Sequence, residues 1–201
     1  MDVRSRKEEQ AIATRRALLK VARKLFAERG YANTATEEVV QRARVTRGAL
    51  YHHFRDKQDL FKAVLHEEEQ KLALRLEAAA AAHLPDMWAG FVAACQEFLD
   101  ACLEPVVRQI LLLDAPSVLG LEGQREVEES YYLTKVKHAL SAAMQMGVIE
   151  VQPVDPLARI LLGAINEAAM LIATAADEKA ARNEASAVIT RILSGLKLPP
   201  R

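Results

Sequence analysis

The stretch RARVTRGALYHHFRDKQDL, residues 42–60, concentrates side chains that bind anions: five lysines and arginines, two adjacent histidines and a tyrosine. Its few large apolar residues, Val45, Leu50, Phe54 and Leu60, can anchor a short helix from behind. Guanidinium, imidazole and hydroxyl donors on a thin helix can reach phosphates and base edges in a DNA major groove. The stretch therefore indicates nucleic-acid binding.

Charge is divided unevenly along the 201 residues, although the formal net charge is zero. Residues 1–66 contain 15 Lys and Arg against 8 Asp and Glu, whereas residues 67–201 contain 12 against 19. This division favours a basic DNA-facing part on an acidic body, although a solvated charge pattern without a partner would look the same. The basic N-terminal residues Arg4, Arg6 and Lys7 either enter a minor groove or form a disordered tail.

Other chemistries find little support in the sequence. It contains no phosphate loop, no nucleophile elbow and no metal-spaced cluster, and the adjacent His52 and His53 would point about 100° apart on a helix. We expect no catalytic residue, no metal and no bound cofactor. A helical enzyme stays the alternative from another class, and the acidic body disfavours an architectural protein that coats DNA.

The elements that position these residues are predicted to be helices throughout, because strand-like alternation is absent and glycine and proline fall at intervals. Ile12, Leu19, Ala22 and Phe26 form the predicted apolar stripe of the first helix. The predicted helices cover residues 8–29, 36–43, 46–53, 56–84, 86–103, 105–114, 124–146, 156–176 and 179–196. We expect a DNA-binding domain over residues 1–55, a linker helix over 56–84, and a helical body over 85–201.

The second and third helices, joined by a three-residue turn that ends with the capping residue Thr46, predict a helix-turn-helix. Thr36, Thr46, Asp56 and Asp155 are expected to cap helix N-termini. If the third helix enters the groove, Arg47 lies near its exposed N-terminal end. The candidate DNA-contacting residues are Thr36, Arg44, Thr46, Arg47, Gly48, Ala49, Tyr51, His52 and Lys57.

Residues 14–61 contain the patterns A..LF...GY and T..E.V...A.V..G.LY.HF..K..L, and with this spacing they resemble the DNA-binding domain of the TetR family of bacterial transcriptional regulators. The resemblance implies a homodimer on a palindromic operator that acts as a repressor and is released by a small-molecule effector. An activator or a co-repressor-dependent regulator would fit the same fold. Family members often have glycine where this chain has Arg44, a change that should cost about 1 kcal/mol in a left-handed turn.

The helix predicted over 156–176 is apolar almost all round and rich in small residues, so with the last helix it favours half of a four-helix bundle completed by a twofold mate. Burial of both helices within one monomer is the alternative. The candidate dimer-interface residues are Leu161, Ala164, Ala168, Leu171, Ile172, Val188, Ile189 and Ile192.

Body residues that can line a ligand pocket are mainly aromatic and aliphatic, with a few polar groups, and ordinary core packing is the alternative for each of them. Asp114 can instead cap a helix end, and Asn166 and Glu167 can bond across a dimer. The candidate pocket residues are Trp88, Phe91, Cys95, Phe98, Leu112, Asp114, Tyr131, Tyr132, His138, Asn166, Glu167 and Met170.

Cys95 and Cys102 lie seven residues apart, roughly 10 Å along one helix, too far for a disulfide. Structural packing and redox sensing both remain open for them. No apolar segment follows the N-terminal charges, and the longest uncharged apolar run, residues 168–176, is short for a bilayer span. We expect a cytoplasmic protein.

Overall fold

A computed structural model describes residues 3–199 of the chain and the side chains of residues 6–199. Within this range the chain is helical, apart from turns and an isolated antiparallel bridge between Ile149 and Lys197. The all-α prediction is confirmed. The helices are α1 (Val3–Arg29), α2 (Thr36–Ala43), α3 (Arg47–His53), α4 (Lys57–Ala81), α5 (Met87–Ala101), α6 (Ala115–Glu128), α7 (Thr134–Gln145), α8 (Val154–Thr174) and α9 (Glu178–Gly195), with π-helical segments Val107–Asp114 and Glu129–Leu133.

Helices α1–α3 form the head of the molecule. α1 begins before the predicted start, so Arg6 and Lys7 lie on a helix rather than in a disordered tail, and the side chain of Arg4 lies outside the described residues. The predicted position of Ile12 in the apolar stripe was wrong: it is 60% exposed, because the buried part of α1 begins only at Leu18.

The turns of the head depend on local capping. Gly30 ends α1 with φ +77°, and its N–H donates to Phe26 O at 2.8 Å. Thr46 caps α3 as predicted, because its Oγ1 accepts from Ala49 N at 3.1 Å. The predicted cap of α2 was wrong: Ala35 takes that position, and the Thr36 hydroxyl donates to Glu37 Oε2 at 3.2 Å.

α4 runs from the head into the body, which comprises α5–α9 and the two π-helical segments. Asp56 caps α4 by accepting from Asp59 N at 2.7 Å, as predicted. The buried core of the head includes residues on α4, such as Phe61, and residues of the body, such as Ile110 and Leu111. The hydrophobic core of the head is therefore closed by the body.

No helix was predicted between residues 114 and 124, and the structure corrects this. Ala115–Glu128 is helical, with a kink at Gly120, whose φ of +68° and ψ of −176° interrupt the regular geometry. Glycine tolerates this conformation because it has no Cβ. Two π-helical segments flank α6, so consecutive helical elements run from Val107 to Gln145.

α8 and α9 pack against each other, and both also pack against α5. Asp155 does not cap α8: Pro153 is at the N-cap, and Asp155 pairs instead with Lys137 and with Arg159. Among the described helices, α8 is the one whose length and apolar composition would suit a membrane span, yet it buries its inner face in the body core.

Candidate functional site

The exposed face of α3 is positioned by two buried anchors. Leu50 and Phe54 are buried in the core of the head, so the opposite side of the helix faces solvent. Arg47 lies there with 70% of its side chain exposed, its guanidinium carbon 5.6 Å from the centre of the Tyr51 ring and Nη2 3.7 Å from Glu37 Oε1. These contacts are exposed and weak, so Arg47 is free to engage an anion.

A shallow depression lies beside α3 and brings three predicted residues together: Thr36, Tyr51 and Lys57 line it. Lys57 Nζ lies 4.2 Å from the centre of the Tyr31 ring and donates to Ala32 O at 3.4 Å. Burial lowers the pKa of Lys57. The ammonium is thus held at the rim of the depression rather than extended into solvent.

Arg44 forms the turn between α2 and α3 in the left-handed conformation, with φ +56° and ψ +41°. Its N–H donates to Gln41 O at 3.2 Å, and the N–H of Val45 donates to Val40 O at 3.2 Å. The predicted left-handed turn is therefore present with a non-glycine residue. All nine candidate DNA-contacting residues are exposed or half-buried: Thr36, Arg44, Thr46, Arg47, Gly48, Ala49, Tyr51, His52 and Lys57.

The body contains a cavity of about 330 Å3, within the size range of small-molecule sites. Its walls come from α4, α5, the segment Val107–Asp114, α6, the segment Glu129–Leu133, α7 and α8, and they are mostly apolar. The predicted residues that line it are Phe91, Cys95, Phe98, Leu112, Tyr131, Tyr132, Asn166 and Met170.

Four predicted pocket residues lie elsewhere. Trp88 is part of the body core, where its ring packs 5.7 Å from that of Phe91. His138 and Glu167 are exposed to solvent, because each lies on the outer face of its helix. Asp114 points towards the head. Asn166 does line the cavity, and it bonds within its own chain, with Nδ2 donating to Glu128 Oε1 at 2.7 Å.

The prediction missed the contribution of α4 to the cavity, above all Glu69. This carboxyl is buried in the cavity wall, where the Tyr132 hydroxyl donates to its Oε2. Burial raises the pKa of Glu69 to about 7. The signal was present in the sequence, because Glu69 falls at helical spacing between Leu65 and Leu72, on the apolar stripe of α4.

One body segment contacts both the cavity and the head. Leu111 and Leu112 of Val107–Asp114 line the cavity, and Asp114 at its end accepts the N–H of Tyr31 at 2.7 Å through Oδ2. Nearby, Gln58 Nε2 donates to Val118 O at 2.7 Å. Although Asp114 precedes α6, its side chain makes no capping hydrogen bond to that helix. It fixes the end of α1 to the body instead.

Comparisons with known proteins agree with this architecture. Residues 88–196 match the family model described as "Tetracyclin repressor-like, C-terminal domain", and residues 18–64 match the one described as "Bacterial regulatory proteins, tetR family". The chain belongs to the TetR family. The resemblance expected from residues 14–61 is confirmed and extends over the body.

Two solved structures of similar fold cover nearly the whole chain, and a sequence relative covers most of it. A TetR-family transcriptional regulator from Pectobacterium atrosepticum aligns with a TM-score of 0.83 at 35% identity, covering 96% of this chain and 98% of that one. RolR, solved in complex with resorcinol, aligns at 0.70 and 19% identity over 96% of this chain and 98% of that one, a likeness of fold. The transposon Tn10 TetC protein of Escherichia coli is 24% identical over 163 residues, 81% of this chain and 82% of its own length.

TetR-family membership makes this protein a DNA-binding transcriptional regulator, and the family is one of regulators rather than enzymes. Within residues 3–199, no group of three or more His, Cys, Asp and Glu side chains has a geometry that could hold a metal ion. Both cysteines are free and buried, and burial raises the pKa of each thiol to about 12. Such thiols are poor nucleophiles at neutral pH, which fits the packing alternative.

Proposed function

We propose that this TetR-family protein is a cytoplasmic homodimeric repressor that occupies a palindromic operator and releases it when a small molecule fills the body cavity. The observation that carries the proposal is the segment Val107–Asp114, which lines the cavity with Leu111 and Leu112 and holds the head through Asp114. A change of cavity shape can thereby reach the end of α1, because Leu111 and Asp114 lie within one helical turn of each other.

DNA recognition is assigned to α3 and its surroundings. Arg47 is placed to contact a guanine or a phosphate, since a guanidinium offers paired donors to either. Tyr51 and His52 add donors at the edge of the groove, and Lys57 and Thr36 face the depression beside α3, where a phosphate can lie. Gly48 carries no side chain, which lets the helix approach the bases closely.

Dimerisation is assigned to the outer faces of α8 and α9. The candidate interface residues fall into two groups. Leu171, Val188 and Ile192 are exposed, and Ala164 is half-buried. The others, Leu161, Ala168, Ile172 and Ile189, are buried within the monomer because they hold α8 and α9 to the body.

The exposed group forms an apolar surface that a second copy can cover, and Ile160 extends it along α8. Large apolar residues at the surface of two adjacent helices are typical of a four-helix dimer interface. A twofold dimer would present two α3 helices to successive major grooves, about 34 Å apart along the DNA.

Release requires a ligand that prefers the conformation with poor DNA affinity. Occupation of the cavity pushes against Leu111 and Leu112 and displaces Asp114. The end of α1 in one protomer is thereby reoriented relative to the end of α1 in the second protomer. The binding of resorcinol by RolR, a protein of the same fold, supports a small-molecule effector for this cavity.

The test begins with selection of operators from a random DNA pool by the purified protein, followed by sequencing of the retained DNA. We expect a palindrome with half-sites spaced by about one helical turn. Arg47→Ala, run in parallel, should enrich the same palindrome more weakly. Selection of non-palindromic sites, or enrichment of nothing at moderate salt, would contradict a dimeric repressor of this kind.

A further inference from the structure

Two neighbouring glutamates of α4 are equally buried but have different partners. Glu68 and Glu69 are each 6% exposed. Glu68 accepts hydrogen bonds from Arg23 at 2.7 and 2.9 Å and pairs with Lys71 Nζ at 2.6 Å. Among the described residues, Glu69 accepts one side-chain hydrogen bond, from the neutral Tyr132 hydroxyl. A buried carboxylate is costly without a cation, and Glu69 lacks the cationic partners that Glu68 has.

The cavity lining has no free cation to offer Glu69. Lys135 is the one basic residue in the described lining, and its Nζ already pairs with Glu77 at 2.6 Å. Glu128, the third carboxyl group of the lining, accepts its hydrogen bond from the neutral Asn166. The lining thus holds three carboxyl groups against one ammonium, so an anionic ligand would meet no unpaired positive charge there.

The walls around Glu69 suit a cation that has an apolar body. Phe91, Phe98, Tyr131 and Tyr132 all line the cavity, and the rings of the two tyrosines lie 6.2 Å apart. Aromatic faces attract cations through their quadrupole and also bury apolar groups. A hydrophobic ammonium would therefore satisfy both the carboxylate and the walls.

We propose that the effector of this cavity is a hydrophobic amine, bound in its protonated form with the nitrogen on Glu69 and the apolar part among the aromatic rings. The inference rests on the proposed ligand-responsive function and specifies the ligand class for that cavity. The ligand supplies the positive charge that Glu69 lacks among the cavity residues, so the empty and filled cavities differ in charge at α4.

The first experiment is calorimetric titration of the full-length protein with three probes of one shape: phenylbutylamine, phenylbutanol and phenylbutyrate. The corresponding naphthyl compounds provide a larger ring. The amines should bind roughly tenfold or more tightly than the alcohols, and the acids most weakly, because only the ammonium makes a charge-assisted hydrogen bond to Glu69. Equal or tighter binding of an alcohol or acid, or saturable binding by neither amine, overturns the proposal.

Glu69→Gln keeps the shape of the side chain and removes its charge. It should weaken amine binding roughly 10- to 100-fold and abolish the preference for amine over alcohol. Glu67→Gln is the matched control, because Glu67 is exposed on the same helix and the net charge changes equally. A preference that survives in Glu69→Gln, or that is lost equally in Glu67→Gln, overturns the assignment. The order of the three probes on the wild-type protein tests it without any substitution.

Release of the selected operator by the same probes is measured separately by fluorescence anisotropy. An amine that binds through Glu69 without releasing DNA contradicts the proposed release and leaves the ligand class supported. An acid or alcohol that binds preferentially and releases DNA contradicts the proposed ligand class and supports the proposed release. The two proposals therefore fail in different assays.

Discussion

Asp114 and Tyr31 join the body to the head through a single hydrogen bond, in which the backbone N–H of Tyr31 donates to Asp114 Oδ2 at 2.7 Å. Gln109 Nε2 donates to the other carboxylate oxygen at 3.1 Å and holds the carboxylate in place. A Cβ at Gly30 would lie 3.0 Å from Gln109 Nε2 and 3.4 Å from Asp114 Oδ1. The glycine that ends α1 therefore also permits the close approach of the body.

Asp114→Ala should loosen the head from the body. The N–H of Tyr31 loses its acceptor, so we expect a loss of about 1–3 kcal/mol in the free energy of unfolding and faster hydrogen exchange at the Tyr31 amide. Urea denaturation and amide exchange measure the two effects. Asp114→Asn keeps an acceptor oxygen and should change both less. Unaltered exchange at Tyr31 in Asp114→Ala would show that the bond does not hold the head.

Arg47→Ala should weaken operator binding by about 1–3 kcal/mol and lower the slope of affinity against salt by about one if Arg47 contacts a phosphate. The physical reason is the exposed, weakly held guanidinium at the start of α3. Arg125→Ala is the control, because Arg125 is exposed on α6 in the body and its substitution removes the same charge. Affinity is measured by anisotropy at several salt concentrations. Equal losses in the two variants would mean that only net charge matters.

The head could be predicted closely from the sequence because its determinants are local. Thr46 and Asp56 cap their helices through side chains three residues from the amides they bind, and Gly30 ends α1 by its own backbone freedom. The failure at Thr36 has the same origin: Ala35 adopts the extended N-cap geometry, and Thr36 then falls inside the helix. Capping patterns predict a helix start only to within one or two residues.

The cavity could be predicted only in part, because its walls depend on tertiary packing. Aromatic residues of the body were found from their type, whereas Glu69 was missed because charged residues are normally expected at the surface. The helix across Gly120 was missed because a glycine followed by Gly123 reads as a loop. Asp114 could be recognised as unusual from the sequence, but its partner Tyr31 lies 83 residues away.

Leu171→Arg should convert the proposed dimer to a monomer. Leu171 is 58% exposed on α8, so a charge there can be solvated in the monomer but not in an apolar interface. Ala168→Arg is a poorer probe, because Ala168 is buried in the monomer core and the change would disrupt folding. Sedimentation velocity measures the state, with circular dichroism as a check of folding. Leu121→Arg, at an exposed residue of α6, should stay dimeric.

Arg44→Gly should raise the free energy of unfolding by up to about 1 kcal/mol, because the left-handed turn strains a residue that has a Cβ. Arg44→Ala removes the same guanidinium and keeps the strain, so it should not be stabilised. If Arg44 contacts the operator, both variants lose the same DNA affinity. Denaturation and operator binding together separate the two effects. Equal stability of the glycine and alanine variants would remove strain from the account of this turn.

Glu69 should make stability fall as pH rises. Its pKa moves from an ordinary value of 4.5 to about 7 on folding, so between these pH values the native state binds more protons than the unfolded state. The native form therefore loses up to roughly 3 kcal/mol relative to the unfolded chain across this range. Glu69→Gln lacks this titration. Its free energy of unfolding should therefore rise relative to that of the wild type between pH 5 and pH 8, by approximately that amount. Urea denaturation at both pH values measures the difference, and Glu67→Gln should follow the wild type. Parallel behaviour of Glu69→Gln and wild type would mean that Glu69 stays ionised, with its charge already compensated inside the chain.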